Sequence, residues 1–161
     1  MLKEYFEDCK VGDRVVTPGR TITETDLVLF AAFSSDWNAI HTDREFAAQS
    51  PFGQRIAHGL LGLVTGFCLL SRGGWFHFWP ASLVCITRLD KIRFLAPVFI
   101  GDTIRLDAEI VEMTRMREGN GLITSRMQVR NQRNEMVIAG RIQLQAGCRP
   151  ADGCSDQGRQ P

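Results

Sequence analysis

No sign of charge dominates this chain. Its 19 Lys and Arg nearly cancel its 18 Asp and Glu, for a formal net charge of +1, which removes any global electrostatic argument for nucleic acid or a membrane surface as partner. No apolar run is long enough to cross a bilayer. The best candidate, Ile56–Ser71, contains no Asp, Glu, Lys or Arg, yet as a helix it would reach only about 24 Å, and a crossing takes ~20 apolar residues. The first residues, MLKEYFEDCKVGD, carry charges throughout and lack the apolar stretch of a secretory signal. The five cysteines form an odd set with neither zinc-site nor Cys-x-x-Cys spacing. Cys9, Cys68 and Cys85 lie in apolar or strand-like sequence and read as small buried thiols, while Cys148 and Cys154 fall near the end. These absences lead to the expectation of a cytoplasmic protein with reduced thiols.

What is present is an ordinary globular composition, 44% hydrophobic and 23% charged over 161 residues, enough for one domain with a sizeable core. There is no internal repeat. The expected domain is residues 1–146. Residues 147–161, GCRPADGCSDQGRQP, lack periodicity and read as a disordered or loosely attached tail.

The pattern along the chain changes once. A turn and a strand around Arg14–Thr21 precede Thr23, which opens a T-x-x-D variant of the capping box. A helix is expected over Glu24–Phe33, with Leu27, Phe30, Ala31 and Ser34 on one face, and a second, short helix over Asp43–Gln49 with Phe46 and Ala47 inward. Ile56–Ser71 reads as a helix apolar on every side and therefore buried on every side. Gly59, Gly62 and Gly66 give it one smooth face, and each glycine costs about 1 kcal/mol in a helix, so sheet backbone or a ligand is expected to come close there. After RGGWFHFWPAS the period becomes two. A strand around Leu83–Leu95 is followed by alternation through Ile104–Ile110, Ile123–Val129 and Ile138–Leu144, with GNG and NQRNE as turns. The expected architecture is α+β: an antiparallel sheet wrapped around one central buried helix.

Between the first two helices stands SSDWNAIHTD. The longer stretch DWNAIHTDREFAAQSPFGQRIAHGLL, Asp36 to Leu61, resembles the MaoC-like dehydratase family, which includes the (R)-specific enoyl-CoA hydratases. The family's hallmark is Asp-x-Asn-Pro-x-His-x-Asp followed by a helix opening with Ala-His-Gly. Asp36, Asn38, His41, Asp43, Ala57, His58 and Gly59 match it. FLAPVFIGDTI and VRNQRNEMVIAGR are similar to later strands of the family, and the likeness runs from about Asp8 to Leu144. Ala39 stands where the family usually has proline, which relaxes a turn without removing a reacting group.

The resemblance implies a hot-dog fold and reversible addition of water to a trans-2-enoyl thioester, giving a 3-hydroxyacyl thioester. An imidazole, with an ordinary pKa of ~6.5, suits proton exchange near neutral pH. By resemblance, His41 and Asp36 hold one water between them as the catalytic pair. Gly59, in the first turn of the buried helix, is the oxyanion donor, since N–H groups there lack intrahelical acceptors; packing against the sheet is the other reading of that glycine. Asn38 either orients the pair or fixes an Asx turn. His58 reads as a supporting residue that pins the helix start. No cofactor or metal is implied; the thioester, on CoA or acyl carrier protein, is the substrate.

Other features carry no single assignment. Trp75, Phe76, Phe78 and Trp79 of WFHFWP read as core or interface before acyl pocket. Arg88, Lys91, Arg93, Arg115 and Arg117 are unassigned. Rival functions are a hot-dog acyl-CoA thioesterase and a non-catalytic acyl-thioester-binding subunit of a heterodimeric dehydratase. The first expects a carboxylate on or beside the central helix, which Ile56–Ser71 lacks; the second expects the Asp/His pair to be missing. A lone sheet of this kind leaves an edge exposed, so at least a homodimer is expected.

Overall fold

The computed structural model describes residues 2–73, 75–116 and 119–150, with backbone only for 75 and 76. Six strands make one antiparallel sheet: β1 (Arg14–Val16), β2 (Arg20–Thr21), β3 (Leu83–Phe94), β4 (Thr103–Arg115), β5 (Asn120–Arg130) and β6 (Met136–Gly147). Their order is β1-β4-β5-β6-β3, with β2 also on β4. The alternation expected of β4 is observed: Ile104, Leu106, Ala108 and Ile110 are all buried. Side chains in a strand point to opposite faces in turn, so this pattern sets one dry face.

That face is covered by α4 (Gly59–Cys68). Gly66 lies against Val129 of β5, and Gly62 lies against Ile138 of β6. The glycines therefore let the helix approach the sheet. The helix begins three residues later than expected from apolarity alone. Ile56 forms a bridge with Phe99, and the Ala57 N–H donates to the Val98 carbonyl at 2.7 Å, so this stretch is extended before it turns helical. It also ends sooner, with α5 (Leu70–Gly73) as a separate turn, followed by α6 (Trp75–Phe78). The expectation of burial on every side is corrected: Leu60 and Val64 are 59% and 55% exposed, because no other described element covers that side.

Helix α1 (Glu24–Ser34) starts at the predicted box, with the Asp26 carboxylate accepting the Thr23 N–H at 2.8 Å. Leu27 and Ala31 are buried. Two short helices come next, α2 (Ala39–Thr42) and α3 (Arg44–Ala48). Asp43 caps α3 by accepting the Glu45 and Phe46 N–H groups. Ala47 is buried as expected, but Phe46 is exposed, since five residues of helix present only a narrow inward face. Phe78 and Trp79 are core residues; the side chains of Trp75 and Phe76, and Arg117, lie outside the described residues.

The tail boundary also moves. Gly147 belongs to β6, Cys148 is buried, and Arg149 pairs with Asp8 at 2.8 Å, so the chain is anchored to the 3-10 turn Phe6–Asp8 through at least Arg149. The expected tail beyond residue 150 lies outside the described residues. At the other end of the sheet, β3 has β6 as its single neighbour among the described residues. Val84, Ile86 and Leu89 on it are exposed.

Candidate active site

Two loops build the site and hold each other. The first begins at the end of α1, where Ser35 takes a left-handed conformation (φ 60°) and turns the chain. The Ser34 hydroxyl accepts the Asp36 N–H at 3.2 Å, and the Asp36 carboxylate accepts the Asn38 N–H at 3.3 Å. Asn38 then caps α2 by accepting the Ile40 N–H at 3.1 Å. Its side chain is thus used in an Asx turn, one of the two roles expected for it. The turn sets His41 on α2. The second loop is the extended stretch before α4, where His58 is the residue preceding the helix.

The imidazoles cross between the loops. His41 Nδ1 lies 2.8 Å from the Ile56 carbonyl, and His58 Nε2 lies 3.0 Å from the Asp36 carbonyl. A carbonyl only accepts, so each of these nitrogens donates. His41 is therefore the Nδ1–H tautomer when neutral, and its Nε2 lone pair is free to act as a base. His58 donates through Nε2, which leaves its Nδ1 as a buried acceptor without a partner among the described residues. The two rings stack with centroids 3.9 Å apart and planes 28° from parallel, and Phe30 lies 5.0 Å from His58. His58 is only 2% exposed. It ties the loop carrying Asp36 to the start of α4.

A carboxylate oxygen of Asp36 and a ring nitrogen from each histidine all lie within 4.8 Å of one another. Two geometries compete for such a cluster. A water making two hydrogen bonds of about 2.8 Å at a tetrahedral angle separates its partners by about 4.6 Å, which falls within that limit. A metal ion fits less well. Ligand lone pairs lie in the imidazole planes, and two rings stacked with centroids 3.9 Å apart aim them side by side rather than at one point ~2.0–2.1 Å away, the length of a zinc–nitrogen bond. The stacked pair cannot share one ion without breaking the stack.

Two cavities meet at this point. One of about 300 Å³ is lined by His41, Phe52, Ala57, Gly62, Val98 and Ile138. The other, of about 400 Å³, is lined by Phe30, Ser34, Asp36 and Leu60. His58, Gly59 and Phe94 border both. Gly59 is the first residue of α4, so its N–H lies in the turn without intrahelical acceptors, at the positive end of the helix dipole. The structure thus brings together Asp36, His41, His58 and Gly59, with Asn38 behind them in the turn. A neighbouring cation is engaged elsewhere: Arg55 binds Glu24 through two hydrogen bonds of 2.8 and 2.6 Å, and that pairing holds the Glu24 carboxyl below its usual range.

Phe94 and the Ile56 carbonyl are parts of the site that sequence reasoning missed. Phe94 opens the family-like run FLAPVFIGDTI, but nothing in its type marks it as a cavity wall. A main-chain acceptor leaves no trace in side-chain identity at all.

Residues 8–132 match the MaoC like domain. The chain belongs to this family. Among MaoC-like relatives, the chain is 36% identical over 105 residues to Protein MaoC of Klebsiella aerogenes, covering 65% of this chain and 30% of that protein. It is 37% identical over 111 residues to the 3-hydroxybutyryl-CoA dehydratase of Methylorubrum extorquens, covering 68% of this chain and 65% of the relative. The chain therefore spans less than two thirds of either relative's length. Its fold superposes with a TM-score of 0.86 on a protein solved from Archaeoglobus fulgidus and described as a monoamine oxidase regulatory protein, at 35% identity over 92% of this chain and 97% of that one. A Mycobacterium tuberculosis protein described as a double hot-dog fold gives a TM-score of 0.75 at 18% identity, over 95% of this chain and 47% of that one. The sheet wrapped on α4 is the hot-dog fold, as the sequence resemblance implied.

Proposed function

We propose that this MaoC-like chain catalyses the reversible hydration of a trans-2-enoyl thioester to a 3-hydroxyacyl thioester. The observation that carries the reading is the Ile56 carbonyl accepting from His41 Nδ1, which leaves Nε2 as the base of a ring clustered with the Asp36 carboxylate. Asp36 accepts one O–H of the water and orients it. His41 Nε2 takes the other proton as the water oxygen bonds to C3. The C2–C3 π electrons move onto the thioester oxygen, where the Gly59 N–H stabilises the charge; a donor of this kind is typically worth ~10²–10³ in rate. His41 then returns its proton to C2, and the reverse sequence is dehydration. Relatives named as a dehydratase and as an (R)-specific enoyl-CoA hydratase support the reading.

The test is loss of enoyl absorbance when purified protein meets crotonyl-CoA. His41→Ala and Asp36→Asn are each expected to slow turnover by ~10²–10⁴, with circular dichroism unchanged. Near-normal turnover by folded His41→Ala would refute the mechanism, and an inert wild-type protein would favour the non-catalytic subunit. CoA and acyl-carrier-protein thioesters are compared in the same assay.

The proposed functional unit is at least a homodimer. The unpaired edge of β3, with exposed Val84, Ile86 and Leu89, supports it, because an open apolar edge pairs readily with another strand. Light scattering that shows a fully active monomer overturns it. The free thiols of Cys9, Cys68, Cys85 and Cys148 support the reducing cytoplasm as its compartment.

A further inference from the structure

We propose that His58 is a positioning residue for the base: its neutral ring face steadies the charge that His41 carries between taking the water's proton and returning it. The inference rests on the hydratase reading for His41 as the base.

The proton count on the two rings decides their roles. His58 Nε2 donates to the Asp36 carbonyl at 3.0 Å, and its Nδ1 is buried without a partner among the described residues. A second proton on His58 would bury an N–H that meets no acceptor. It would also charge a ring that is almost wholly buried, a costly state away from water. His41 is half-buried, and its Nε2 is the atom that the Ile56 carbonyl leaves free. His41 is therefore the ring that gains charge, and His58 is the ring that stays neutral beside it. Two charged rings with centroids 3.9 Å apart would repel each other.

In the proposed step a water O–H breaks and an N–H forms at His41 Nε2, so the imidazole is an imidazolium until the proton passes to C2. The groups that face this charge differ in strength. Asp36 is an exposed residue, where water weakens the pull of its carboxylate. Arg55 and Glu24 line a further small cavity together with His41, but they are paired with each other and their charges cancel. The His58 ring is buried, its centroid 3.9 Å away and its plane 28° from parallel. A cation within about 6 Å of an aromatic face is attracted to it, which is worth about 2- to 30-fold in rate. The ring is held in that attitude by its bond to the Asp36 carbonyl and by Phe30, 5.0 Å from it. The charge on His41 appears only as the proton moves, so the gain belongs to kcat and leaves KM alone.

The test separates the ring face from the N–H that ties the loop. His58→Gln keeps an amide that can donate to the Asp36 carbonyl and has no ring. His58→Phe keeps a ring face and has no donor. Both are assayed as full-length protein with crotonyl-CoA, beside circular dichroism. His58→Gln should lose about 10- to 30-fold in kcat with KM within about threefold of wild type, and His58→Phe should lose less kcat than His58→Gln. A residue that only tied the loop would give the reverse order. A folded His58→Gln with wild-type kcat, or a folded His58→Phe slower than His58→Gln, overturns the proposal. If His58→Gln does not fold, a loss of more than about 30-fold in kcat by folded His58→Phe overturns it. A third measurement needs no variant. The chain has three histidines, and long-range proton–nitrogen NMR correlation at pH 8 should show His41 protonated on Nδ1 and His58 on Nε2 alone. A His58 protonated on Nδ1 also overturns the proposal. The hydratase reading fails separately: a wild-type protein inert towards crotonyl-CoA removes both, whereas an active wild type matched by His58→Gln removes only the role of the ring.

Discussion

Gly59→Ala separates a glycine kept for packing from one kept for substrate, because the structure makes the two readings diverge. Gly59 has an ordinary helical backbone with no positive φ, and the three nearest atoms to an added Cβ all belong to the Phe94 ring, at 3.0, 3.1 and 3.4 Å. That ring is half-exposed and can shift by the few tenths of an ångström required. Alanine is also favoured over glycine in a helix by up to about 1 kcal/mol. The two effects oppose each other, so the melting temperature should stay within about 2–4 °C of wild type, the shift that 1 kcal/mol produces in a chain of this size. The new methyl nevertheless projects into the space between Gly59 and Phe94, where the proposed mechanism brings the thioester oxygen. A misplacement of about 1 Å at a reacting centre costs about 10²-fold. The expected result is a folded protein whose kcat/KM for crotonyl-CoA falls by about two orders of magnitude, read by enoyl absorbance beside a thermal melt. A kcat/KM within about threefold of wild type refutes the placement of the oxyanion at Gly59. A melting temperature more than about 10 °C lower shows instead that the glycine is there for packing.

Burial pushes the Cys9 thiol up to about 11, so at pH 8 Cys9 should label with a thiol reagent only after unfolding, whereas the exposed Cys68 and Cys85 label in the native state; peptide mapping by mass spectrometry distinguishes them. For Asp26, burial raises the carboxyl pKa, but the Thr23 N–H, the Arg20 guanidinium and the Thr23 hydroxyl outweigh it and the net shift is downward. A depressed carboxylate contributes stability that is present above its unfolded value near 3.8 and is lost as pH falls through the folded value. Asp26→Asn keeps an acceptor for the cap but loses the Arg20 pair, so its urea-unfolding free energy should depend less steeply on pH below about 4 than that of wild type.

How legible the molecule was depends on the range of the forces involved. The start of α1 is set by Thr23 and Asp26 three residues apart, and the dry face of β4 by alternation within a single strand; both could be read locally. The start of α4 could not, because it is set by Ala57 bonding to Val98, a partner 41 positions away. Nothing in the apolar run from Ile56 tells an extended segment from a helical one. Phe46 misled for a related reason: helical spacing assigns a face, but a helix of five residues has little face to bury. In the candidate site, side-chain identity pointed to Asp36, His41 and Gly59 through their likeness to a family pattern. The reason His41 presents Nε2 rather than Nδ1 is a backbone carbonyl, to which the sequence is blind. Phe94 and Ile138 carry no chemical signature, and they emerge as cavity walls only once β3 and β6 are paired beside α4.

The one departure from the family pattern yields a last prediction. Ala39 stands where proline is usual, and its position suits a proline. It is the first residue of α2, where a helix N–H has no intrahelical acceptor to lose. The preceding residue, Asn38, has φ −54° and ψ 135°, the extended conformation that a following proline requires. Replacement therefore introduces no strain at either residue, and it removes conformational freedom from the unfolded chain, which stabilises by about 0.4–1 kcal/mol. Ala39→Pro should raise the melting temperature by a few degrees, up to about 2–4 °C. Its effect on turnover should be small, because the clasp that orients the histidines runs through the Ile56 and Asp36 carbonyls and does not involve residue 39. A variant that melts lower than wild type would show that the Asn38 turn is held by something other than the backbone angles it displays. One that melts higher but loses activity would show that the loop must flex for the water to be exchanged.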